Sequence, residues 1–360
     1  MESFELPFIT QNLKGIGGKL KETSESFIVE EVPVYEACGE GEHLFVNLTK
    51  EGLNTKEVVD KLSELFSLKR EDVGVAGLKD REARTSQTIS LRFGNYSSVD
   101  LEKIKEQIEE QFLDKGKKRV QVNWFKKHNN KLRPGHLLGN RFKIFVSELN
   151  CGLDEAEKRA EKIIDKIIEG GLPNYYGEQR FGQDGDNWQR GLDILNGKQK
   201  IYDKWLRSFL LSSVQSYLCN LYLKERILQE KYSKLMDGDV VKKTDTGGVF
   251  VVEKENLKRE QERFDKREIV FTCPIYGDNL MQGNENTEAK MFEDKILEMV
   301  EIKKENMKYL SDGLRRQGIL LFKKGDIVVE KDGKKNGLWF SFFLPKGSFA
   351  TVLLREVMKG

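Results

Sequence analysis

The sequence predicts an α+β protein in which a helix-rich domain interrupts a β-rich one. With 360 residues, the chain is too long for one ordinary hydrophobic core, so two domains are expected. Apolar-polar alternation typical of strands occurs towards both ends of the chain, whereas helical periodicity dominates from about residue 153 to 317. Strands of similar style on both sides of a helical region indicate an insertion into a β-rich domain.

The elements before residue 150 are mostly strands. The predicted strands and alternating stretches are 27–32, 44–48, 73–76, 88–93, 120–125 and 141–146, and the predicted helices are 56–66 and 99–112. Asn54 or Thr55 is expected to cap the first helix. Because Val58 follows Thr55 by three residues, no full capping box is expected at Thr55.

After Gly152 the pattern changes. An amphipathic helix is predicted at 153–168, and further helical patterns occur at 201–229, in parts of 256–267 and at 293–310. A small β unit is expected at 237–252, where Gly247-Gly248 forms a turn. Strands return at 319–329 and 336–344.

Composition excludes several classes of protein. The formal net charge is only +2, so a nucleic-acid partner would have to bind a local basic surface. The four cysteines are far apart and there are only three histidines, which argues against a metal site. The N-terminus lacks the pattern of a signal peptide, and the most apolar window, 205–223, is interrupted by polar residues. A cytoplasmic protein without a membrane partner is therefore expected.

The stretch 75–87 carries the main candidate for chemistry. A short apolar run ends at Gly77 and is followed by Lys79, Asp80 and Arg81. A nearby cation favours the ionised form of a carboxylate, and an ionised, positioned aspartate can act as a nucleophile or general base. Taken alone, such a charge run is more often a solvated loop.

Other segments combine cations, amides and aromatic rings. They include Lys21 with Phe27, the stretch 126–142, the stretch 171–182 and the stretch 347–351. Cations near glycine suit contacts with phosphates, and exposed aromatic rings suit stacking on an unpaired base. Each feature has a plainer alternative, because a single lysine is usually a surface residue and phenylalanine is usually part of a core.

Together these segments resemble the TruD family of tRNA pseudouridine synthases, in the order of that family and over nearly the whole chain, with no signature at 225–310. The residues that carry the resemblance are Gly39-Glu40-Gly41-Glu42-His43, Lys50, Asn54-Thr55, Gly77-Leu78-Lys79-Asp80, Thr85, Gln87, Lys131-Leu132-Arg133-Pro134-Gly135-His136-Leu137, Gly139-Asn140, Phe142, Pro173-Asn174-Tyr175, Gln179-Arg180-Phe181-Gly182, Gly347-Ser348-Phe349-Ala350-Thr351 and Arg355-Glu356. The family often has Phe where this chain has Tyr176.

The resemblance implies a fold and a domain division. The expected fold is a pseudouridine-synthase mixed β-sheet interrupted by a helix-rich α/β insertion domain. The catalytic domain would comprise residues 1–170 and 318–360, and the insertion domain residues 171–317. The expected activity is the isomerisation of uridine to pseudouridine in tRNA, in bacteria chiefly at position 13 of tRNAs such as tRNA-Glu. The family implies no cofactor and no metal, and we expect a monomer.

The resemblance also implies roles for individual residues. Asp80 would be the nucleophile, and Lys21 would favour its ionised form and orient it. The uracil ring would be enclosed by Phe27, Phe142 and Phe349 and oriented by Asn140. The RNA is further expected to contact Lys79, His128, Lys131 and Arg133.

Two other functions remain open. A protein with the same surface could bind or fold RNA without catalysis. A nucleoside hydrolase could also use a carboxylate, although glycoside hydrolysis usually needs two, and only one cation-flanked carboxylate lies within a motif here.

Overall fold

The computed structural model describes residues 5–20, 22–93, 100–302 and 304–359. Lys21 and the predicted start of the second helix at residue 99 lie outside these ranges. Among the described residues, no helix is both long and apolar enough to cross a membrane.

The strands and helices are numbered in chain order. The strands are β1 (Gly17–Lys19), β2 (Phe27–Pro33), β3 (His43–Lys50), β4 (Val73–Val75), β5 (Arg84–Arg92), β6 (Leu113–Asp114), β7 (Lys117–Lys118), β8 (Val120–His128), β9 (Leu137–Leu149), β10 (Leu172–Pro173), β11 (Val240–Lys243), β12 (Val249–Val251), β13 (Ile269–Ile275), β14 (Leu314–Gln317), β15 (Ile319–Leu320), β16 (Ile327–Asp332) and β17 (Gly337–Pro345). The helices are α1 (Thr55–Leu65), α2 (Leu101–Gln111), α3 (Leu153–Gly170), α4 (Asn187–Leu195), α5 (Lys204–Leu228), α6 (Leu257–Asp265), α7 (Glu288–Glu298) and α8 (Ala350–Met358).

The chain forms two compact units, and both are discontinuous in sequence. The sheet unit contains residues 15–161, 325–347 and 358–360, and the helical unit contains residues 1–14, 162–324 and 348–357. This division is spatial and does not identify which segments are catalytic. The predicted boundaries of the catalytic and insertion domains therefore stay a prediction.

A large mixed sheet organises the sheet unit. Its strands follow the order β16-β17-β9-β2-β5-β3-β8, with β1 added at β9 and β4 at β5. The β2–β5 pair is parallel, and the neighbouring pairs are antiparallel. On one face, the inward residues Leu44, Val46 and Leu48 of β3 form a core with buried residues of α1 and α2. Fully burying one such side chain stabilises the fold by about 1.5 to 3 kcal/mol.

Helix α1 begins at a capping box formed by Asn54 and Glu57, one residue before the Thr55–Val58 pair for which no box was expected. Asn54, and not Thr55, is the N-cap, and its side chain accepts the backbone N–H of Glu57 at 2.9 Å. The Glu57 carboxylate in turn accepts the backbone N–H of Asn54 at 2.7 Å. Thr55 is buried. Because Asn54 caps the helix, the Thr55 hydroxyl is available for a different contact.

The helical unit contains more β-structure than the sequence indicated. A four-stranded antiparallel sheet has the order β12-β11-β13-β14. The predicted small β unit corresponds to β11 and β12. Strand β13 is buried along its whole length, so its sequence shows no alternation and was not recognised. Helix α5 corresponds to the helical pattern predicted at 201–229, and it is largely buried.

Two polar contacts hold the helical unit together. Arg226 and Asp239 form a buried ion pair at 2.8 Å. Near the two ends of the sequence, the backbone N–H and the hydroxyl of Thr10 both donate to the Glu356 carboxylate, at 2.8 and 2.6 Å. A charge-assisted pair of hydrogen bonds of this kind joins segments that are 346 residues apart.

Candidate active site

Asp80 lies on the loop between β4 and β5 and is exposed to solvent. The fully buried side chain of Lys50, at the end of β3, lies against the backbone of this loop. Its ammonium nitrogen is 2.5 Å from the carbonyl oxygen of Leu53, 3.0 Å from that of Asp80 and 3.4 Å from that of Lys79. One cation thus satisfies backbone acceptors of the Asp80 loop and of the connection between β3 and α1, which fixes the Asp80 loop from its buried side.

A second contact anchors the same loop. The backbone N–H of Lys79 donates to the Thr55 hydroxyl oxygen at 2.8 Å. The Thr55 hydroxyl in turn donates to the side-chain oxygen of Gln87 in β5 at 2.9 Å. The loop is therefore connected to α1 and to β5, and the backbone next to Asp80 is held on two sides.

Burial changes the acid-base properties of Lys50. Removal of the ammonium from water lowers the pKa of Lys50 to about 8, although the carboxylate of Asp80 opposes this shift. The charge of Lys50 therefore depends on pH within an accessible range. Asp80 is the carboxylate with the largest stabilising effect on that charge.

Lys79 has a different position from the one expected for an RNA contact. Its ammonium lies 2.7 Å from the Glu31 carboxylate, and the two side chains are only 5% and 4% exposed. The structure thus corrects the expectation that Lys79 presents its charge to the substrate. A buried ion pair of this kind fixes the loop against β2, because separating it would leave a desolvated charge.

Arg81, the second cation that flanks Asp80 in sequence, forms a salt bridge with Glu57 of α1. The hydrogen bond from the Asn54 backbone is the main cause that lowers the pKa of Glu57, and Arg81 adds to it. Both neighbouring cations are therefore paired with carboxylates other than Asp80. The cation that supports the loop from within is Lys50.

A cavity of about 470 Å³ opens beside this loop. Its walls combine carboxylates, two guanidinium groups and small polar residues: Glu22, Thr23, Ser24, Glu51, Gly52, Arg81, Glu82, Asp114 and Arg119. In the part of the chain that the structure describes, no group of three or more His, Cys, Asp or Glu side chains is placed to hold a metal ion.

The predicted base-binding residues of the sheet lie on one face. Phe142 of β9 pairs with Val29 of β2, and Phe27 of β2 pairs with Ile144. Residues two apart on a strand, and residues opposite each other on neighbouring strands, share a face. The rings of Phe27 and Phe142 are 6.4 Å apart at 80°, so the structure brings these two predicted residues together.

The same face carries the groups that anchor the Asp80 loop. Val29 also pairs with Thr85 of β5, which pairs with Lys50 of β3, and Asn140 pairs with Glu31. The predicted aromatic residues, Asn140 and the unpredicted Lys50 therefore belong to one surface of the sheet.

Several buried polar atoms on this face have no hydrogen-bond partner among the described residues. They are the side-chain oxygen of Asn140, the hydroxyl of Thr85 and the amide nitrogen of Gln87. A native fold rarely leaves such groups unsatisfied, so each calls for an explanation. For Asn140, an acceptor oxygen on the face that carries Phe142 is suited to a hydrogen-bond donor of a bound molecule.

The basic segment that begins at the end of β8 contains both buried and exposed side chains, whereas RNA contacts were expected along it. His128 is the last residue of β8, and its ring is buried and stacks on Tyr35 at 4.9 Å. Its Nδ1 accepts the backbone N–H of Cys38 at 3.2 Å, and burial lowers the pKa of His128. This corrects the expectation of a cationic RNA contact at His128. Lys131 donates to the backbone carbonyl of Glu71, and Arg133 is exposed.

Phe349 belongs to the helical unit and immediately precedes α8. Its ring lies 5.8 Å from that of Tyr176. A side chain at Gly177 would come within 3.1 Å of the Phe349 ring, so the glycine in this motif leaves room for the aromatic contact. The expected role of Phe349 at the base stays a prediction.

Lys50, Thr55 and Gln87 carry part of the family resemblance, but no role was predicted for them, and Glu31 was not predicted to belong to the site. A signal for Lys50 was present. Leu44, Val46 and Leu48, at every second position of β3, belong to the core that this strand forms with α1 and α2, and Lys50 is the next position of that series. A lysine at an inward strand position must satisfy its charge inside the protein.

Comparison with known proteins connects this geometry to a family. The family model of tRNA pseudouridine synthase D (TruD) matches residues 4–202 and 195–357. A tRNA pseudouridine synthase D of Thermus thermophilus is 39% identical over 353 residues, which cover 98% of this chain and 92% of the relative. The corresponding protein of Colwellia psychrerythraea is 35% identical over 350 residues, covering 93% and 88% of the two chains.

The fold agrees with that family. A crystal structure from Methanosarcina mazei, assigned as a tRNA pseudouridine synthase D, superposes with a TM-score of 0.75 and 23% identity and covers 98% of this chain and 96% of the other. This likeness confirms the predicted fold class. With the match of the family model along the chain and the identity to the bacterial relatives, it follows that the chain belongs to the tRNA pseudouridine synthase D (TruD) family, a family of isomerases.

Proposed function

We propose that the protein converts uridine to pseudouridine in tRNA, at position 13 of substrates such as tRNA-Glu, with Asp80 as the attacking carboxylate. The observation that carries this proposal is the exposed Asp80 on a loop whose backbone is anchored by Lys50 and Thr55. Relatives at 39% and 35% identity are named as tRNA pseudouridine synthases, which supports the substrate class.

The reaction is an isomerisation, so the product contains the same atoms as the substrate. In one route, an Asp80 oxygen attacks C1′, and the electron pair of the C1′–N1 bond moves to the uracil. After the ring turns, C5 bonds to C1′ and displaces the carboxylate, and the C5 proton is lost as N1 gains one. In the other route, Asp80 removes the C2′ proton, and a glycal forms as the C1′–N1 bond breaks and its electron pair moves to the uracil. After the ring turns, C5 bonds to C1′ while Asp80 returns the proton to C2′, and the C5 proton is lost as N1 gains one. Both routes need a carboxylate held close to the ribose.

The anchored loop suits either route. A nucleophile gains rate when its backbone needs no reorganisation at the moment of reaction. The contacts of Lys50 and Thr55 restrict the backbone and leave the exposed Asp80 to meet the substrate. Lys21, which the resemblance pairs with Asp80, lies outside the described residues, and its role is part of the proposal.

The uracil would bind on the face that carries Phe27, Asn140 and Phe142. An extruded base can stack against aromatic rings while hydrogen bonds read its polar edge. The unpaired side-chain oxygen of Asn140 is suited to accept the N3–H of uracil. Phe349 would complete the set of aromatic residues that the family resemblance implies.

Phosphate contacts are assigned to Lys131 and Arg133 rather than to Lys79 or His128. Arg133 is exposed, and Lys131 is partly exposed beside the β4 strand region. Each neutralised phosphate releases counterions, so affinity for tRNA is expected to fall linearly on a plot of log K against log salt concentration. An affinity that does not change with salt would contradict this assignment.

The decisive experiment uses tRNA-Glu that carries uridine at position 13 and a pseudouridine-specific chemical map. Wild-type protein should give a signal at position 13. Asp80→Asn should lower the rate by about a thousandfold or more while tRNA binding is kept. Glu82→Gln, an exposed carboxylate in the same loop, is the matched control and should retain activity.

Each contrary result is informative. Full activity of Asp80→Asn would refute the site. Free uracil in the reaction would indicate a hydrolase, and binding without product in the wild type would indicate a silent RNA-binding protein. Product at another nucleotide would refute position 13 alone.

A further inference from the structure

A second surface, in the helical unit, has features that the proposed active site does not use. The segment 196–209 contains the connection between α4 and α5 and the first residues of α5, and it carries two very exposed aromatic residues. Tyr202 is 92% exposed and Trp205 is 73% exposed. Tryptophan is highly buried on average in folded proteins, so an exposed indole on a helix indicates a binding surface.

The indole of Trp205 has a fixed orientation. It stacks on Phe209, one helical turn further along α5, with ring centres 5.4 Å apart and planes at 4°. The guanidinium of Arg180 lies 5.8 Å from the Phe209 ring. Arg180 is itself held by the hydroxyls of Ser216 and Ser212, at 3.0 and 2.8 Å. Contacts within the protein thus position Arg180 and Phe209 beneath Trp205. The face of the Trp205 ring that points away from Phe209 is exposed to solvent.

The surroundings of the aromatic residues are basic. The segment contains one carboxylate, Asp203, and four exposed cations: Lys198, Lys200, Lys204 and Arg207. The Asp203 side chain caps α5 by accepting the backbone N–H of Leu206 at 2.7 Å. The positive end of the dipole of this 25-residue helix lies at the same place. The surface thus combines flat apolar rings with excess positive charge.

We propose that Tyr202, Trp205 and the four cations form a docking platform for RNA, in which an unpaired base stacks on the aromatic rings and neighbouring phosphates contact the cations. The inference rests on the proposed function, because it takes tRNA as the bound molecule. Aromatic rings combined with basic side chains bind single-stranded segments through stacking and charge. Protein-protein interfaces are depleted in lysine, and three of these four cations are lysines, so the composition favours RNA over a protein partner.

The test measures equilibrium binding of full-length protein to tRNA-Glu by fluorescence anisotropy, with product formation followed in the same preparations. Trp205→Ala and Tyr202→Ala should each raise the Kd about tenfold, whereas Trp205→Phe should stay near the wild type because a ring remains. The KM should rise and kcat should stay unchanged, since the platform touches no reacting atom.

Charge and stacking can be separated by salt. Lys200→Gln combined with Lys204→Gln should reduce the salt slope of log K by roughly 0.7 to 0.9 for each lysine that contacts a phosphate. Trp205→Ala should leave the slope unchanged. Tyr309→Ala removes another half-exposed aromatic residue of the helical unit, one outside the segment, and should bind tRNA as the wild type does.

The outcomes distinguish this inference from the proposed function. A wild-type Kd in both Trp205→Ala and Tyr202→Ala would overturn the platform, and so would self-association that depends on Trp205 while tRNA binding does not. A protein that binds tRNA through Trp205 but forms no pseudouridine would support the platform and refute the proposed function. A protein that binds no tRNA would refute both.

Discussion

The ammonium nitrogen of Lys50 lies 3.0 Å from the backbone carbonyl oxygen of Asp80. The lysine therefore contacts the chain that carries the candidate nucleophile, and its second and third contacts, to Leu53 and Lys79, are also backbone carbonyls. Under the proposed function, a buried cation that holds a loop in this way would be a positioning residue, because it would act on the reaction through the geometry of Asp80.

Replacing Lys50 by Met should lower kcat for pseudouridine formation by about 10- to 100-fold, because a loosened loop misplaces Asp80. Stability should change less, since the lost hydrogen bonds cost about 1 to 3 kcal/mol while removal of a desolvated charge offsets part of this cost. Single-turnover kinetics and tRNA binding separate the two effects. Lys56→Met, at an exposed position of α1, is the control, and equal kcat values in both variants would contradict the positioning role.

The pKa of Lys50, lowered to about 8 by burial, predicts a dependence of stability on pH. The unfolded chain keeps this proton up to the ordinary value of 10.5, whereas the folded chain loses it near pH 8. The unfolded state thus binds more protons between these values, and the free energy of unfolding should rise there by up to roughly 1.4 kcal/mol per pH unit. The charged groups that act on Lys50 are Asp80, Lys79 and Glu57.

Urea titrations of the wild type and Lys50→Met from pH 7 to 10.5 check this slope. The wild type should gain stability relative to the variant as the pH rises through this range, and parallel curves would show that Lys50 does not titrate as stated. Pseudouridine formation should fall over the same range, because a neutral amine holds the carbonyls less strongly than an ammonium.

The buried pair of Glu31 and Lys79 predicts a large effect of a conservative change. Glu31→Gln should lower the free energy of unfolding by about 3 to 5 kcal/mol, because Lys79 is left as an unpaired buried charge. The double variant with Lys79→Met should recover most of the loss. Glu148→Gln breaks an exposed pair with Lys19, in which the Lys19 and Glu148 side chains are 64% and 54% exposed, and it should change the free energy of unfolding very little. Equal losses for Glu31→Gln and Glu148→Gln in urea titrations would refute the structural role of the buried pair.

Asn140→Ala should reduce kcat/KM by about 10- to 100-fold, the scale expected for one lost hydrogen bond to the base. Because the Asn140 side-chain oxygen has no partner among the described residues, little stability should be lost. Asn123→Ala removes an exposed amide of β8 that bonds to Asn47, and it should leave the kinetics unchanged. A variant at Asn140 that unfolds but keeps its specific activity would assign this residue to the fold.

Much of the architecture could be predicted because strands such as β8 and β17 place buried residues at every second position over part of their length. The prediction failed where that contrast is missing. Strand β13 is buried on both faces, so its run of apolar residues gave no period. Helix α8 is a short buried helix next to a motif, and its residues were interpreted only as part of that motif.

Residues of the candidate site could be predicted where they lie within a motif of the sequence. Asp80 and Phe142 lie within such motifs, and Phe27 and Phe142 do meet in space. The partners of Lys79 and Arg81 were not predictable, because Glu31 and Glu57 are 48 and 24 residues away in sequence. Their positions next to Asp80 in sequence suggested that Lys79 and Arg81 pair with Asp80. In the fold, Lys79 pairs with Glu31 and Arg81 pairs with Glu57.

The bonds between Thr10 and Glu356 have a consequence for how the protein is made. The ribosome synthesises the chain from its N-terminus, so Thr10 is made 346 residues before its partner Glu356. Completion of the sheet unit is also delayed, since its strands β16 and β17 are synthesised after residue 324. Neither unit can complete its native contacts before segments that follow residue 324 have been synthesised, so parts of each unit's apolar surface stay without their native partners until then.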